Sequence, residues 1–125
     1  MNPRKKTVVN ASVELTERTL VDLREIERYS VEKWGRTTAN QYLDDIAAAF
    51  DRFIENPEIL SLEPDFAPGL YFYRVRKHVL VCDYHERKVV VLTIFHTSMD
   101  LPARLAELEP RLIVEAQILR SKLNR

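Results

Sequence analysis

Glycine is almost missing from this chain. Gly35 and Gly69 are the only two in 125 residues, so there is no glycine-rich loop to cradle a phosphate. Cysteine is reduced to Cys82. One thiol makes no intrachain disulfide, and its place in an apolar run suits a small buried hydrophobe. It also fits a reducing compartment, and a cytoplasmic location is expected. No apolar run approaches the roughly 20 residues that span a bilayer. Arg4-Lys5-Lys6 is not followed by a signal-like apolar stretch of about 7–15 residues. Neither sign of charge is in excess: Lys+Arg and Asp+Glu both count 19. That balance argues against whole-surface attraction to nucleic acid, and direct nucleic-acid binding is not expected. His78, His85 and His96 lack metal-ligand spacing, so neither a metal nor a cofactor is expected.

What the chain does have is a long β-prone stretch from Leu70 to His96, rich in Val, Leu, Ile, Phe, Tyr and Thr. Two polar breaks, near Arg76-Lys77 and at His85-Glu86-Arg87, divide it into a three-stranded antiparallel meander. A polar corner follows, His96-Thr97-Ser98-Met99-Asp100. Upstream, Val13 and Leu15 alternate with polar residues and predict a first strand. Thr7-Val8-Val9 is either a short strand or a lead. Thr16 is placed to cap a helix whose stripe is Leu20, Leu23, Ile26, Tyr29 and Trp34, with Asp22 on the wet face. Gly35 is its expected C-terminal cap. A capping box of Thr38 and Gln41 is expected to open a second helix. Its stripe is Ala39, Tyr42, Leu43, Ile46, Ala49, Phe50, Phe53 and Ile54, and Asn56-Pro57 stops it. So short a break makes the two helices an antiparallel hairpin. Residues 57–69 read as a loop pinned by Leu60, Leu62 and Phe66. A last helix is expected from about Arg104 to Leu123, with Pro110 at the start of its regular part.

The fold class is therefore α+β: an N-terminal strand and a helical hairpin packed on a small, mainly antiparallel sheet, plus a C-terminal helix. Simple alternation puts Leu70, Phe72, Arg74 and Arg76 on one face, and Tyr71, Tyr73, Val75 and Lys77 on the other. It separates Val89, Val91, Thr93 and Phe95 from Val90, Leu92, Ile94 and His96. Both faces are largely apolar. One meets the hairpin; the other needs the C-terminal helix or a partner chain to cover it.

The ordered words Leu15-Thr-Glu-Arg-Thr-Leu-Val-Asp-Leu-Arg-Glu-Ile26, Tyr29 to Trp34-Gly35, Tyr42-Leu43, Asn56-Pro57, Pro68-Gly69-Leu70, Lys77-His78-Val79 and His96-Thr-Ser-Met-Asp-Leu101 resemble the RelE/ParE toxin superfamily, the ParE branch most. The resemblance implies a toxin domain at 1–102, with 1–11 as a polar lead and 103–125 as a helical extension. It implies a type II toxin–antitoxin toxin that binds DNA gyrase and is neutralised by a ParD-like antitoxin. The alternatives are a RelE-type ribosome-dependent mRNA endonuclease, or an inactive relative that only binds. Nucleases of this kind place cations on the sheet to stabilise a phosphorane. Here the corresponding positions are Val79, Thr97, Ser98 and Met99. If the chain were a nuclease, His96 and Arg74 would carry it, since an imidazole ordinarily titrates near 6.5. ParE-like chains usually carry an Arg where this one has Tyr71, another where it has Ser98, and Tyr-Arg where it has Cys82-Asp83. Binding residues are expected at Tyr71, Tyr73, Arg74, Arg76, Lys77, His96, Ser98 and Asp100.

Overall fold

β5, Lys88–His96, is the element on which the others are built. It is almost continuously apolar, and it has neighbours on both edges and both faces. The computed structural model describes residues 11–62, 69–98, 108, 110–112 and 114–118. The strands are β1 (Ser12–Leu15), β2 (Ser61–Leu62), β3 (Tyr71–Val75), β4 (His78–His85) and β5, ordered β1-β5-β4-β3-β2 across one sheet. β1 runs parallel to β5; every other pairing is antiparallel. The helical hairpin is α1 (Glu17–Trp34) and α2 (Arg36–Glu55). The expected loop after α2 holds a 3-10 turn at Pro57–Ile59 and the short edge strand β2. The expected Thr7–Val9 strand, the Phe66 anchor and Asp100 lie outside the described residues.

Thr16 does cap α1: its side chain accepts the Thr19 backbone N–H. A single residue separates the helices, because Gly35 at φ 91° both ends α1 and precedes α2. Few other residues accept that backbone, which is why glycine stands there. The Thr38–Gln41 capping box does not form. α2 has already begun at Arg36, with no side-chain cap. Its apolar stripe is as expected, with Ala39, Tyr42, Ile46, Ala49 and Phe53 buried. Burying each of the large ones is worth roughly 1.5–3 kcal/mol.

α1 departs from its expected stripe. Its buried residues are Thr19, Ile26 and Ser30, whereas Leu20, Tyr29 and Trp34 are exposed. The cause is a β-bulge. Val81 pairs with Thr93 but Cys82 pairs with Val91, so Leu92 is an extra residue in β5. A bulge disrupts the ladder; here the Val91 carbonyl accepts the Thr16 backbone N–H at 3.2 Å, and the side chains of α1 and its cap add further partners. Thr19 donates to the Val91 carbonyl at 2.8 Å, and Thr16 donates to the Leu92 carbonyl at 2.9 Å. Asp22, expected to be wet, accepts from the Thr93 hydroxyl at 2.8 Å and from the Ile94 N–H at 3.0 Å. The turn-by-turn spacing of Thr16, Thr19 and Asp22 lays one polar stripe along the bulge.

The same bulge overturns the simple alternation in β5. Val89, Val91 and Ile94 face the hairpin, with Ile26, Ile46 and Phe53. Val90, Leu92 and Phe95 face the other way, with Leu70, Phe72 and Val81. Leu112 and Ala116 from the C-terminal helical residues cover that second face. Arg18 of α1 clamps the same segment through a two-pronged bond to Glu115, both contacts at 2.8 Å. The chain's own C-terminal segment thus lies on the face that needed a cover. Leu108 is already helical, so Pro110 is not the first residue of the regular part.

Candidate functional site

The bulge re-aims the end of β5. Beyond Leu92 the faces exchange, so His96 lies on the hairpin side beside His78 of β4. The two imidazoles meet edge to face, centroids 5.0 Å apart. From the hairpin, Tyr42 reaches the same spot. Its hydroxyl lies 2.6 Å from His78 Nδ1 and accepts the Lys77 backbone N–H at 3.2 Å. The hydroxyl and His78 Nδ1 share one hydrogen bond, whose donor is set by the His78 tautomer. Burial, and secondarily the neighbouring His96, lowers the pKa of His78 to about 4. His78 is therefore uncharged at neutral pH. Burial pushes the Tyr42 phenol up from its ordinary value. On the far side, His96 Nδ1 accepts the Ser98 N–H at 3.0 Å, with Ser98 Oγ at 2.6 Å.

The turn between β3 and β4 locks these groups. It has two residues, Arg76 and Lys77, between the paired Val75 and His78. Arg76 adopts φ 51°, a left-handed conformation uncommon outside Gly, Asn and Asp. Its side chain is tied to α2 and to the Tyr42 ring. Arg76 Nε donates to Asp45 of α2, and the guanidinium lies 5.1 Å from the centre of the Tyr42 ring. Alternation had put Arg76 on the Phe72 face, but the strand ends at Val75 and the turn rotates it to α2. Trp34 stacks on Tyr42 at 6.3 Å, and Tyr29 meets Trp34 edge-on at 6.0 Å. Together these elements enclose an open cleft of about 470 Å³, lined by His78, His96, Ser98, Lys77, Tyr42 and Trp34 among others.

Of the residues expected to bind, Lys77, His96 and Ser98 share this cleft. Arg76 stands behind it. Tyr71 packs edge-on to Tyr84 at 5.6 Å, and Tyr73 edge-on to Phe53 at 5.2 Å, both against the hairpin core. Arg74 is exposed on the Phe72 side of the sheet, and its Nε donates to the Arg76 carbonyl. It therefore does not share a face with His96. Sequence reasoning missed the roles of Tyr42 and Trp34, and grouped His78 with Arg74, Arg76 and Lys77 as one basic cluster at the strand turn. Tyr42 read as one more stripe residue, and only a polar partner at its tip distinguishes it. Cys82 is fully buried in β4, and burial raises its thiol pKa well above the ordinary value. Among the described residues no three His, Cys, Asp or Glu side chains converge to hold a metal, and no helix is long and apolar enough to cross a membrane.

The sequence model of the ParE toxin of the type II toxin–antitoxin system parDE matches residues 13–101. The chain belongs to the ParE toxin family. The match spans β1 to the end of the polar corner, and so contains every residue of the cleft. In fold, this ParE-family chain is similar to the chromosomal ParDE toxin–antitoxin system from P. aeruginosa, with TM-score 0.63 and 16% identity over 73% of this chain and 100% of that one. It is also similar to the RelBE2 toxin–antitoxin complex of Mycobacterium tuberculosis (TM-score 0.44, 18% identity, 70% of this chain and 99% of that one). A variant of the E. coli toxin RelE in the free state gives TM-score 0.47 and 17% identity over 76% of this chain and 92% of that one. No curated protein matches the chain by sequence.

Proposed function

We propose that this ParE-family toxin acts by binding DNA gyrase, and that a ParD-like antitoxin neutralises it. It works by occupancy and not by cutting RNA. The observation that carries this reading is the apolar residue at the sheet position where cleavage would need a cation. Val79, at the nuclease position of β4, packs with its side chain against the Leu70–Phe72 cluster. Arg74 and His96 sit on opposite faces of the sheet, and His78 beside His96 is uncharged at neutral pH. The cations that line the cleft, Lys77 and Arg28, come from the β3–β4 turn and from α1, not from that position of β4. The toxin domain is residues 1–102 with 103–125 as its extension, and the cytoplasm, where gyrase works, is the compartment of action.

The test is a supercoiling assay. Purified protein added to gyrase and relaxed plasmid should block supercoiling, and the cognate antitoxin should restore it. Unimpaired supercoiling at several-fold molar excess refutes gyrase as the target. Transcripts cut during growth arrest, with cutting lost in His96→Ala, would instead identify a ribosome-dependent endonuclease. Harmless expression without the antitoxin would identify a module that only binds.

A further inference from the structure

The sequence of β5 fits two registers against β4, and apolar burial separates them little. The first half of the strand pairs Cys82 with Val91. Continued without a bulge, that pairing sets Leu80 opposite Thr93, Val79 opposite Ile94 and His78 opposite Phe95. The bulged register instead sets Leu80 opposite Ile94, Val79 opposite Phe95 and His78 opposite His96. A slip of one residue turns every side chain beyond it to the other face. Ile94 and Phe95 would exchange places between two apolar clusters, each of which accepts a large side chain. The cleft is where the registers differ in chemistry. With the bulge, the His96 imidazole lies 5.0 Å from that of His78. Without it, the Phe95 ring takes that place and His96 turns to the second face.

The outer edge of β5 tells the registers apart. β1 pairs with that edge up to Leu15 opposite Val91, and beyond this point α1 meets it. Successive residues of a strand turn their backbone groups to opposite edges. Ile94 N–H therefore reaches α1 in the bulged register and would turn to β4 in the other. Asp22 Oδ2 accepts that N–H at 3.0 Å and the Thr93 hydroxyl at 2.8 Å. Thr16 Oγ donates to the carbonyl of the extra residue, Leu92, at 2.9 Å. The Thr19 bond to Val91 precedes the slip and is common to both registers. Bonds to a carboxylate are roughly twice as strong as neutral ones, so Asp22 outweighs Thr16 as the selector. We propose that Asp22 is a positioning residue for the cleft. It acts through the backbone of β5, selecting the register that brings His96 beside His78. The role holds whichever partner the cleft serves, and it makes the placing of His96 conditional on α1.

The test is NMR on the full chain, reading nuclear Overhauser contacts between α-protons. Directly opposed residues of a non-hydrogen-bonded antiparallel pair bring these protons close. The unaltered chain should show the contacts Leu80–Ile94 and His78–His96. Asp22→Ala should add a second set, Leu80–Thr93 and His78–Phe95, with the slipped fraction raised about tenfold or more. Asp22→Asn keeps an acceptor oxygen and should retain the first set. Thr93→Val removes one of the two donors and should raise the slipped fraction about threefold, read by saturation transfer from the minor set. The first set alone in a folded Asp22→Ala chain overturns the proposal, because Asp22 would then stabilise the fold without choosing the register. A second set of equal size in Asp22→Asn also overturns it, because the lost acceptors would not be the cause. Should Asp22→Ala fail to fold, Thr93→Val decides, and the first set alone there overturns the proposal.

Discussion

His78 makes the stability of this fold depend on pH in a way one substitution should remove. The group has an ordinary pKa of 6.5 that the folded chain lowers to about 4, chiefly by burial. Below pH 6.5 the unfolded chain takes up a proton there, and the folded chain does not until about pH 4. The contribution is therefore fully present above 6.5 and is lost as pH falls toward about 4. At ~1.36 kcal/mol per pH unit, the gap between 6.5 and about 4 sets a ceiling of roughly 3.4 kcal/mol. The ring borders an open cleft, so water screens its charge and about half of that ceiling, ~1.5 kcal/mol, is the expected loss. His78→Asn keeps a polar amide near the position of Nδ1, able to pair with the Tyr42 hydroxyl, and removes the titration. Urea midpoints should be measured for both proteins at pH 7.5 and pH 4.5. Carboxylates elsewhere titrate alike in the two and cancel. The unaltered chain should lose ~1.5 kcal/mol more than the variant, or about 1 M in urea midpoint. Equal losses in the two proteins would refute the burial argument for His78.

Two further substitutions probe the parts that hold the cleft. Tyr42→Phe keeps the ring beneath Trp34 and Arg76 but strips the hydroxyl from both His78 and Lys77. Two lost hydrogen bonds cost about 1–2 kcal/mol, and the melting temperature of a 125-residue chain should fall by about 4–8 °C in calorimetry. Leu112→Ala, at a fully buried position on the second face, should cost about 2–4 kcal/mol and raise hydrogen exchange in β4 and β5. Val114→Ala, half exposed on the same segment, should stay within about 0.5 kcal/mol.

Much of the architecture was legible in the sequence because periodicity reports burial directly. The α2 stripe, the three meander strands, the Thr16 cap and the Gly35 stop all follow from local chemistry. The errors share one physical origin, which is that partners distant in sequence override local patterns. Leu20, Tyr29 and Trp34 have helical spacing, yet α1 presents Thr19 and Asp22 to the sheet because the bulge at Leu92 needs hydrogen-bond partners. Nothing near Leu92 announces a bulge, since no glycine marks it. The polar stripe of Thr16, Thr19 and Asp22 was the available signal, and it lies some seventy residues away from its partner. The cleft was half legible. Lys77, His96 and Ser98 were candidates, but the face on which His96 falls depends on that same bulge. Tyr42 and His78 become a pair only when α2 lies across β4.

The parallel pairing of β1 with β5 also sets the order in which this toxin can come into being. Ser12 has to wait for Lys88, and Leu15 for Val91. At a synthesis rate of roughly 5–20 residues per second, that wait is on the order of 4–15 s. For part of it, Trp34 and Tyr42 are already made while His78 and His96 are not, so a nascent chain carries half a cleft. Closing so distant a pair is entropically late. Val13→Ala should accordingly speed unfolding and leave the refolding rate nearly unchanged in stopped-flow measurements; a slowed refolding limb would show that the edge forms early. If the strand does close last, a cell making this protein meets the complete binding surface only after almost all of the toxin domain has been synthesised.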